Sequence, residues 1–148
     1  MATTTASFTL SSSDIAASPV SIATSATLTK AGTTTGLEQL DGMSRRVLLT
    51  SETSIVDLIS AQAAGATGGA YTIDKANKVY ICNSSTSETD FVLITMYAEP
   101  IGRLYAGDWM FFPWGPDHAT NSDIRITAAT QTSPVIIDYM VIGQRNEA

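Results

Sequence analysis

Any chemistry in this sequence would start from its only histidine, His118, which lies in the segment GDWMFFPWGPDHATN at residues 107–121. An imidazole can bind a metal ion or act as a general base, and Asp117, Asp123 and Glu99 are the carboxylates that could assist it. A catalytic metal needs about three protein ligands, and one histidine with loop carboxylates is a weak set. A Ser-His-Asp triad is not supported either, because no G-x-S-x-G pattern occurs. The sequence therefore predicts no catalytic, cofactor-binding or metal-binding residue.

The same segment resembles the second conserved motif of the cupins, a jelly-roll family with the pattern G-x5-P-x-G-x2-H-x3-N. Gly107, Pro113, Gly115 and His118 fall in register, and Asn121 comes one residue early. In metal-binding cupins this histidine acts together with two more histidines and a glutamate from an earlier motif. The chain has no second histidine, so a His-rich metal site within one chain is excluded. The resemblance supports the fold and argues against the enzyme.

Charged residues are scarce in the sequence. Only 15% of the 148 residues are charged, and the net charge is −6. Basic residues are not grouped beyond Arg45 and Arg46, so we expect no nucleic-acid binding, which needs clustered cations. The single cysteine, Cys82, allows no intrachain disulfide, and its apolar run VYICN indicates a buried thiol. No run reaches the roughly 18 apolar residues of a membrane span, so we expect no membrane association. We also expect the protein to be made and assembled in a reducing cytoplasm.

Residues 1–36 are rich in Ser and Thr, and we interpret them as an N-terminal arm that precedes a β-sandwich domain at residues 37–148. A flexible linker is the alternative. In VSIATSATLT, however, apolar residues alternate with small polar ones at the period of two that is typical of a half-buried strand. We therefore expect an extended, strand-forming arm. Its candidate interface residues are Thr9, Val20, Ile22 and Leu28.

The domain itself has the pattern of short strands separated by Gly, Pro, Asn and Ser clusters. DFVLITMYAE is the clearest strand, and we expect Pro100 and Gly102 to end it. We expect a turn at residues 74–77 and a hairpin-like break at residues 106–108. SIVDLISAQAAGATGG fits a helix capping box as well as strand alternation, and we favour a strand. About eight strands predict an all-β fold, an antiparallel β-sandwich or jelly roll with an extended N-terminal arm.

The segment WMFFPW is apolar on both faces of a predicted strand. We group Trp109, Phe111 and Trp114 against Met110 and Phe112. A strand with two apolar faces indicates a protein interior or an interface. Trp109, Phe111 and Trp114 are therefore candidate interface residues. The alternative is a sugar-binding platform, in which an exposed tryptophan stacks on a carbohydrate ring.

A further resemblance covers roughly residues 78–142, in the segments KVYICNSSTSETDFVLI, PIGRLYAGDWMFFPW, DIRITAAT and VIIDYMVIG. They resemble small virion proteins of tailed bacteriophages, whose short β-sandwich has an Asn-Ser turn and the motif L-x-A-G-D/E-x-x-x-x-P. The resemblance implies a capsid decoration (cement) protein without cofactors. Such a protein binds the major capsid protein, is a homotrimer, and sits on the capsid surface after assembly in the host cytoplasm. A tail, neck or head-fibre protein and a carbohydrate-binding module are the alternatives.

Overall fold

The structure, a computed structural model, describes residues 5–13, 20–27, 39–40, 43–62, 71–72, 77–115, 122–130 and 133–143. All regular structure in these residues is β-strand, and no helix among them is long and apolar enough to cross a membrane. The strands are β1 (Thr5–Ser12), β2 (Val20–Thr27), β3 (Gln39–Leu40), β4 (Ser44–Leu48), β5 (Val56–Ile59), β6 (Ala61–Gln62), β7 (Tyr71–Thr72), β8 (Asn77–Asn83), β9 (Phe91–Met96), β10 (Glu99–Tyr105), β11 (Trp109–Trp114), β12 (Ile124–Thr130) and β13 (Val135–Gly143).

Two antiparallel sheets form the body of the domain. One sheet has the order β10-β9-β12-β5, and the other has the order β11-β8-β13, with β4 and β3 both paired to β13. Leaving out the two-residue strands, the sheets read β5-β12-β9-β10 and β4-β13-β8-β11. This is the strand order of an eight-stranded jelly roll. The prediction of an all-β antiparallel sandwich is confirmed.

The core lies between these two sheets because one side chain in two points inward from each strand. On β12, Ile124 and Ile126 are buried while Arg125 between them points outward, as the alternation of the sequence predicts. The buried apolar residues of the core are aliphatic, apart from one indole. They are Leu48, Leu58, Ile59, Val79, Ile81, Val92, Ile94, Leu104, Trp114, Ile124, Ile126, Ala128, Val135, Ile137 and Val141.

The end of β9 differs from the prediction. The strand stops at Met96, before a two-residue turn in which Tyr97 and Ala98 have φ of 56° and 62°. This turn leads directly into β10, so Pro100 and Gly102 lie inside a strand and do not end one. Positive φ at both central residues is the geometry of a tight hairpin, but Asn-Gly, its usual sequence signal, is missing here. The proline is tolerated because β10 is an edge strand and its register shifts between residues 100 and 102.

The break at residues 106–108 occurs where predicted, but it does not join a hairpin. β10 pairs with β9 and β11 pairs with β8, so this turn carries the chain from one sheet to the other. Gly107 has φ of 86°, which favours glycine. Asp108 stabilises the turn by accepting a hydrogen bond from the Tyr105 amide at its Oδ2 and donating its own amide to the Tyr105 carbonyl, each over 2.9 Å. The local sequence predicts where the turn occurs. The sheet that each flanking strand joins depends instead on pairing with strands elsewhere in the sequence.

The other predictions on strands divide into two groups. VSIATSATLT contains β2, and the ambiguous segment after residue 54 contains β5 and β6, so both strand predictions are confirmed. The predicted turn at residues 74–77 lies outside the described residues except for Asn77, which starts β8. The boundary after residue 36 also lies outside them and stays a prediction.

Candidate interaction surfaces

The N-terminal hairpin of β1 and β2 presents an apolar face to solvent. The two strands pair antiparallel with each other, and neither pairs with another described strand. Leu10 lies opposite Ile22, and Phe8 is two residues from Leu10, so the three side chains share one face. They are 41% (Phe8), 46% (Leu10) and 47% (Ile22) exposed. Neither strand contains a charged residue.

The residues predicted for the arm interface are placed differently from one another. Ile22 lies on the apolar face of the hairpin, whereas Thr9 lies on the opposite face, which is rich in Ser and Thr. Val20 is the first residue of β2, and Leu28 lies outside the described residues. The sequence prediction missed the two large apolar residues of β1. Their alternation in ASFTLSS was the signal that could have found them.

The outer face of the five-stranded sheet is the second apolar surface. Trp109 and Phe111 point outward from β11 and are 52% and 37% exposed. The register places Phe111 beside Tyr80 on β8, and Tyr80 beside Met140 on β13. The ring centroids of Tyr80 and Trp109 are 6.4 Å apart. Together with the exposed Val47 on β4, these residues are called the apolar outer face below.

The charges in the same part of the sheet are paired. Arg45 on β4 donates from Nε and Nη2 to the two carboxylate oxygens of Asp138 over 2.6 and 2.9 Å, and the Ser84 hydroxyl donates to Asp138 Oδ2 over 2.8 Å. The hydrogen bonds from Arg45 lower the pKa of Asp138, so this carboxyl is ionised and compensated at neutral pH. Burial raises the pKa of Tyr80, which keeps its phenol neutral. The register places Trp109, Cys82, Asp138 and Arg45 side by side on neighbouring strands. This row of side chains therefore contains an internal ion pair.

Trp114 occupies a different place from the other aromatic candidates. It is 2% exposed, and its Nε1 donates a hydrogen bond to the Ser122 carbonyl over 2.9 Å. The grouping of Trp114 with Trp109 and Phe111 therefore needs correction. Counting by two along β11 places Trp114 inward, on the same face as Met110 and Phe112. It is a core residue, so it offers no surface to a partner or a sugar.

The residues considered for metal or acid–base chemistry form no common site in the described part of the chain. His118, with its neighbours Asp117 and Asn121, lies outside it. Asp123 contacts Arg125 at 3.3 Å, and the same guanidinium contacts Asp57 on the neighbouring strand β5 at 2.7 Å. Glu99 is exposed at the start of β10. Among the described residues, no three His, Cys, Asp or Glu side chains group as metal ligands do.

Comparison of the chain with protein-family models gives no match, and comparison with curated proteins gives none either. The two surfaces described above are therefore the features of the chain that bear on its function. Both are apolar sheet faces, and both are exposed in the single chain. Exposed apolar surfaces can mark sites of protein–protein contact or of ligand binding.

Proposed function

We propose that this chain is a structural protein of a virus particle, of the capsid decoration type, which binds the major capsid protein and stabilises the shell without a cofactor. The observation that carries this proposal is the N-terminal hairpin. Its strands pair only with each other among the described strands, and its apolar residues Phe8, Leu10 and Ile22 are exposed.

The hairpin supports an assembly role because it is a poor structure for an isolated chain. A two-stranded hairpin is marginally stable in water unless its apolar face is covered. The free edges of its strands also offer main-chain hydrogen bonds to a further strand, and the apolar side chains can enter pockets on a partner. A segment of this kind gains order and stability when another chain covers it, either a capsid subunit or a second copy of this protein assembled on the shell.

The jelly roll supports the same role in a more general way. Two packed sheets give a rigid domain that holds its surfaces in a fixed orientation. Jelly rolls occur in viral capsid proteins as well as in lectins and cupins. The fold alone does not assign a function. The resemblance of residues 78–142 to small phage virion proteins adds the capsid surface as the location and a homotrimer as the oligomer.

Binding to shells tests this proposal directly. Purified full-length chain is incubated with empty heads of the virus whose genome encodes it, and bound protein is measured after sedimentation of the heads. We expect saturable binding at fixed stoichiometry and greater resistance of the heads to heat. A chain that stays in the supernatant at every concentration would contradict the decoration role. A tail, neck or head-fibre protein would instead be located on those structures by labelled antibodies in electron micrographs of whole particles.

Carbohydrate binding is the second candidate, and the exposed Trp109 is the observation that favours it. Its ring lies near Tyr80 on an open sheet face, where a sugar ring could stack. Trp114 cannot take this part because it is buried. The test is a glycan array probed with the native chain and with Trp109→Ala. Binding that the substitution abolishes would favour a sugar-binding module, and an array without signal would remove this candidate.

A further inference from the structure

Resting on the assembly role proposed above, we infer that the hairpin of one copy packs against the apolar outer face of the five-stranded sheet in a second copy. The apolar face of the hairpin is made of Phe8, Leu10 and Ile22, and its target includes Trp109 and Phe111. Copies joined in this way exchange their arms, and the exchange is the contact that holds the homo-oligomer together.

The first reason is that the chain itself leaves both surfaces exposed. The three apolar residues of the hairpin are more than two-fifths exposed, and Trp109 is 52% exposed in the same chain. One hairpin and one outer face are present in every copy. Exchange between copies covers both surfaces at equal stoichiometry, whereas a foreign partner for the hairpin would leave the outer face in water.

The second reason is charge. The strands of the hairpin have no charged residue, in a chain whose net charge is −6. On the receiving face Arg45 and Asp138 neutralise each other, and Lys78 lies near the start of β8. Two acidic copies repel each other least where neutral surfaces meet, and burial of these two faces leaves no carboxylate unpaired. A strongly basic or acidic partner would find little to recognise on the hairpin.

The third reason is size. Each strand of the hairpin has eight residues, which at about 3.3 Å per residue gives a length of about 26 Å. Two strands about 4.8 Å apart give a face of about 250 Å². In the homotrimer proposed above, cyclic exchange covers two such faces at each contact, about 500 Å², and about 1,500 Å² over the ring of three copies, an area comparable to that of a specific protein–protein interface.

The chain that joins the hairpin to the domain allows this exchange. β2 ends at Thr27, and β3 begins at Gln39 in the same five-stranded sheet that carries the outer face. The residues in between, 28–38, can span at most about 36 Å at 3.3 Å per residue. The hairpin can therefore reach the outer face of a neighbouring copy that lies within about 36 Å of Gln39.

Paired substitutions on the full chain test the exchange by sedimentation velocity over a range of concentrations. Leu10→Lys places a charge on the apolar face of the hairpin, and Thr9→Lys places the same charge on the opposite face. Phe111→Lys changes the receiving face, and Ile101→Lys changes a similarly exposed residue of the other sheet. We expect Leu10→Lys and Phe111→Lys to weaken self-association at least tenfold, and both controls to leave it unchanged. Equal effects of a substitution and its control, or a wild-type chain that remains monomeric at every concentration, would overturn the inference.

A cross-linking experiment separates exchange between copies from folding back within one copy. In a Cys82→Ser background, one preparation carries Leu10→Cys and another carries Phe111→Cys, and the two are mixed with a short bis-maleimide. A covalent heterodimer in the mixture is the expected result. A third preparation carries both Leu10→Cys and Phe111→Cys in one chain. A cross-link that forms within this chain, with no heterodimer in the mixture, would overturn the inference and place the arm on its own domain.

These experiments are independent of the proposed function. Self-association is measured without capsid shells, and binding to shells is measured by their sedimentation. Copies that exchange arms but do not bind heads would contradict the decoration role alone. Copies that bind heads and show no exchange would contradict the inference alone.

Discussion

Replacing Asn83 by aspartate exchanges the buried amide NH2 group for a carboxyl oxygen and leaves the shape of the side chain almost unchanged. Asn83 ends β8 and is fully buried. Its Nδ2 donates to the Leu104 carbonyl over 3.0 Å, and its Oδ1 accepts from the Ser85 amide over 3.1 Å. Its backbone also bonds to both sides of the inter-sheet turn, at Gly107 and Asp108. The side chain thus connects the end of β8 to the strand and turn that enter the second sheet.

The effect of Asn83→Asp on the free energy of unfolding depends on pH. At pH 7 the carboxylate faces the Leu104 carbonyl oxygen without a proton between them, and an uncompensated buried charge of this kind costs about 3–5 kcal/mol. A protonated carboxyl restores a donor, so the new group has a raised pKa in the folded state. Below the unfolded-state value of about 3.9 the cost should fall to about 1 kcal/mol. Between these limits it rises by about 1.36 kcal/mol per pH unit until the folded form ionises.

The assay is urea unfolding of the variant and the wild type at several pH values from 4 to 7. The difference between the two proteins at each pH cancels the titration of all other groups. Asn83→Ala is the control, because it removes both hydrogen bonds without adding a titratable group and should give a difference independent of pH. If Asn83→Asp costs less than about 1 kcal/mol at pH 7 and its cost is flat with pH, the amide does not donate to a buried carbonyl and the reasoning is refuted.

Three further substitutions test other parts of the structure. Trp114→Phe should lower the free energy of unfolding by about 2–4 kcal/mol in urea titrations, because it leaves a small cavity and removes the hydrogen bond from the indole to the Ser122 carbonyl; a loss as small as that of an exposed residue would contradict its burial. Ala98→Gly should increase the free energy of unfolding by about 1 kcal/mol, seen as a higher urea midpoint, because glycine adopts the positive φ of the turn without strain. A destabilised variant would contradict the geometry of that turn. Asp138→Asn should remove a stabilisation that the wild type has above about pH 4 and loses as the pH falls through the lowered pKa of Asp138, since Arg45 binds the ionised form; an equal difference between the two proteins at pH 3 and pH 7 would contradict this.

The sequence predicts the strands well where side chains alternate between core and solvent. On β12 the series Ile124, Arg125 and Ile126 predicts the two buried residues and the outward one, and the structure agrees. The same approach fails at the end of β9, because Tyr97 and Ala98 adopt positive φ without the residues that normally signal it. Their conformation is set by the pairing of β9 with β10. Tertiary contacts therefore outweigh local preference at this turn.

The sequence predicts the class of fold but not the order of the strands, since this order depends on contacts between residues far apart in the sequence. β13 lies between β8 and β4, and β12 lies between β9 and β5. Every strand of the sandwich contributes apolar residues to the core, so composition and alternation do not distinguish one neighbour from another. Eight short strands and their turns indicate a jelly roll or a sandwich. The pairing chooses between them.

The face of β11 that meets solvent determines which function is plausible for its aromatic residues. Trp109 is exposed, but the two carboxylates close to it in the sheet are already engaged. Asp108 accepts a hydrogen bond from the Tyr105 amide, and Asp138 accepts from Arg45 and a serine hydroxyl. A sugar needs hydroxyl partners beside the ring on which it stacks, and among the described residues these two carboxylates are already partly occupied. An apolar protein segment needs only a neutral, flat surface, so the chemistry around Trp109 favours a protein partner over a carbohydrate.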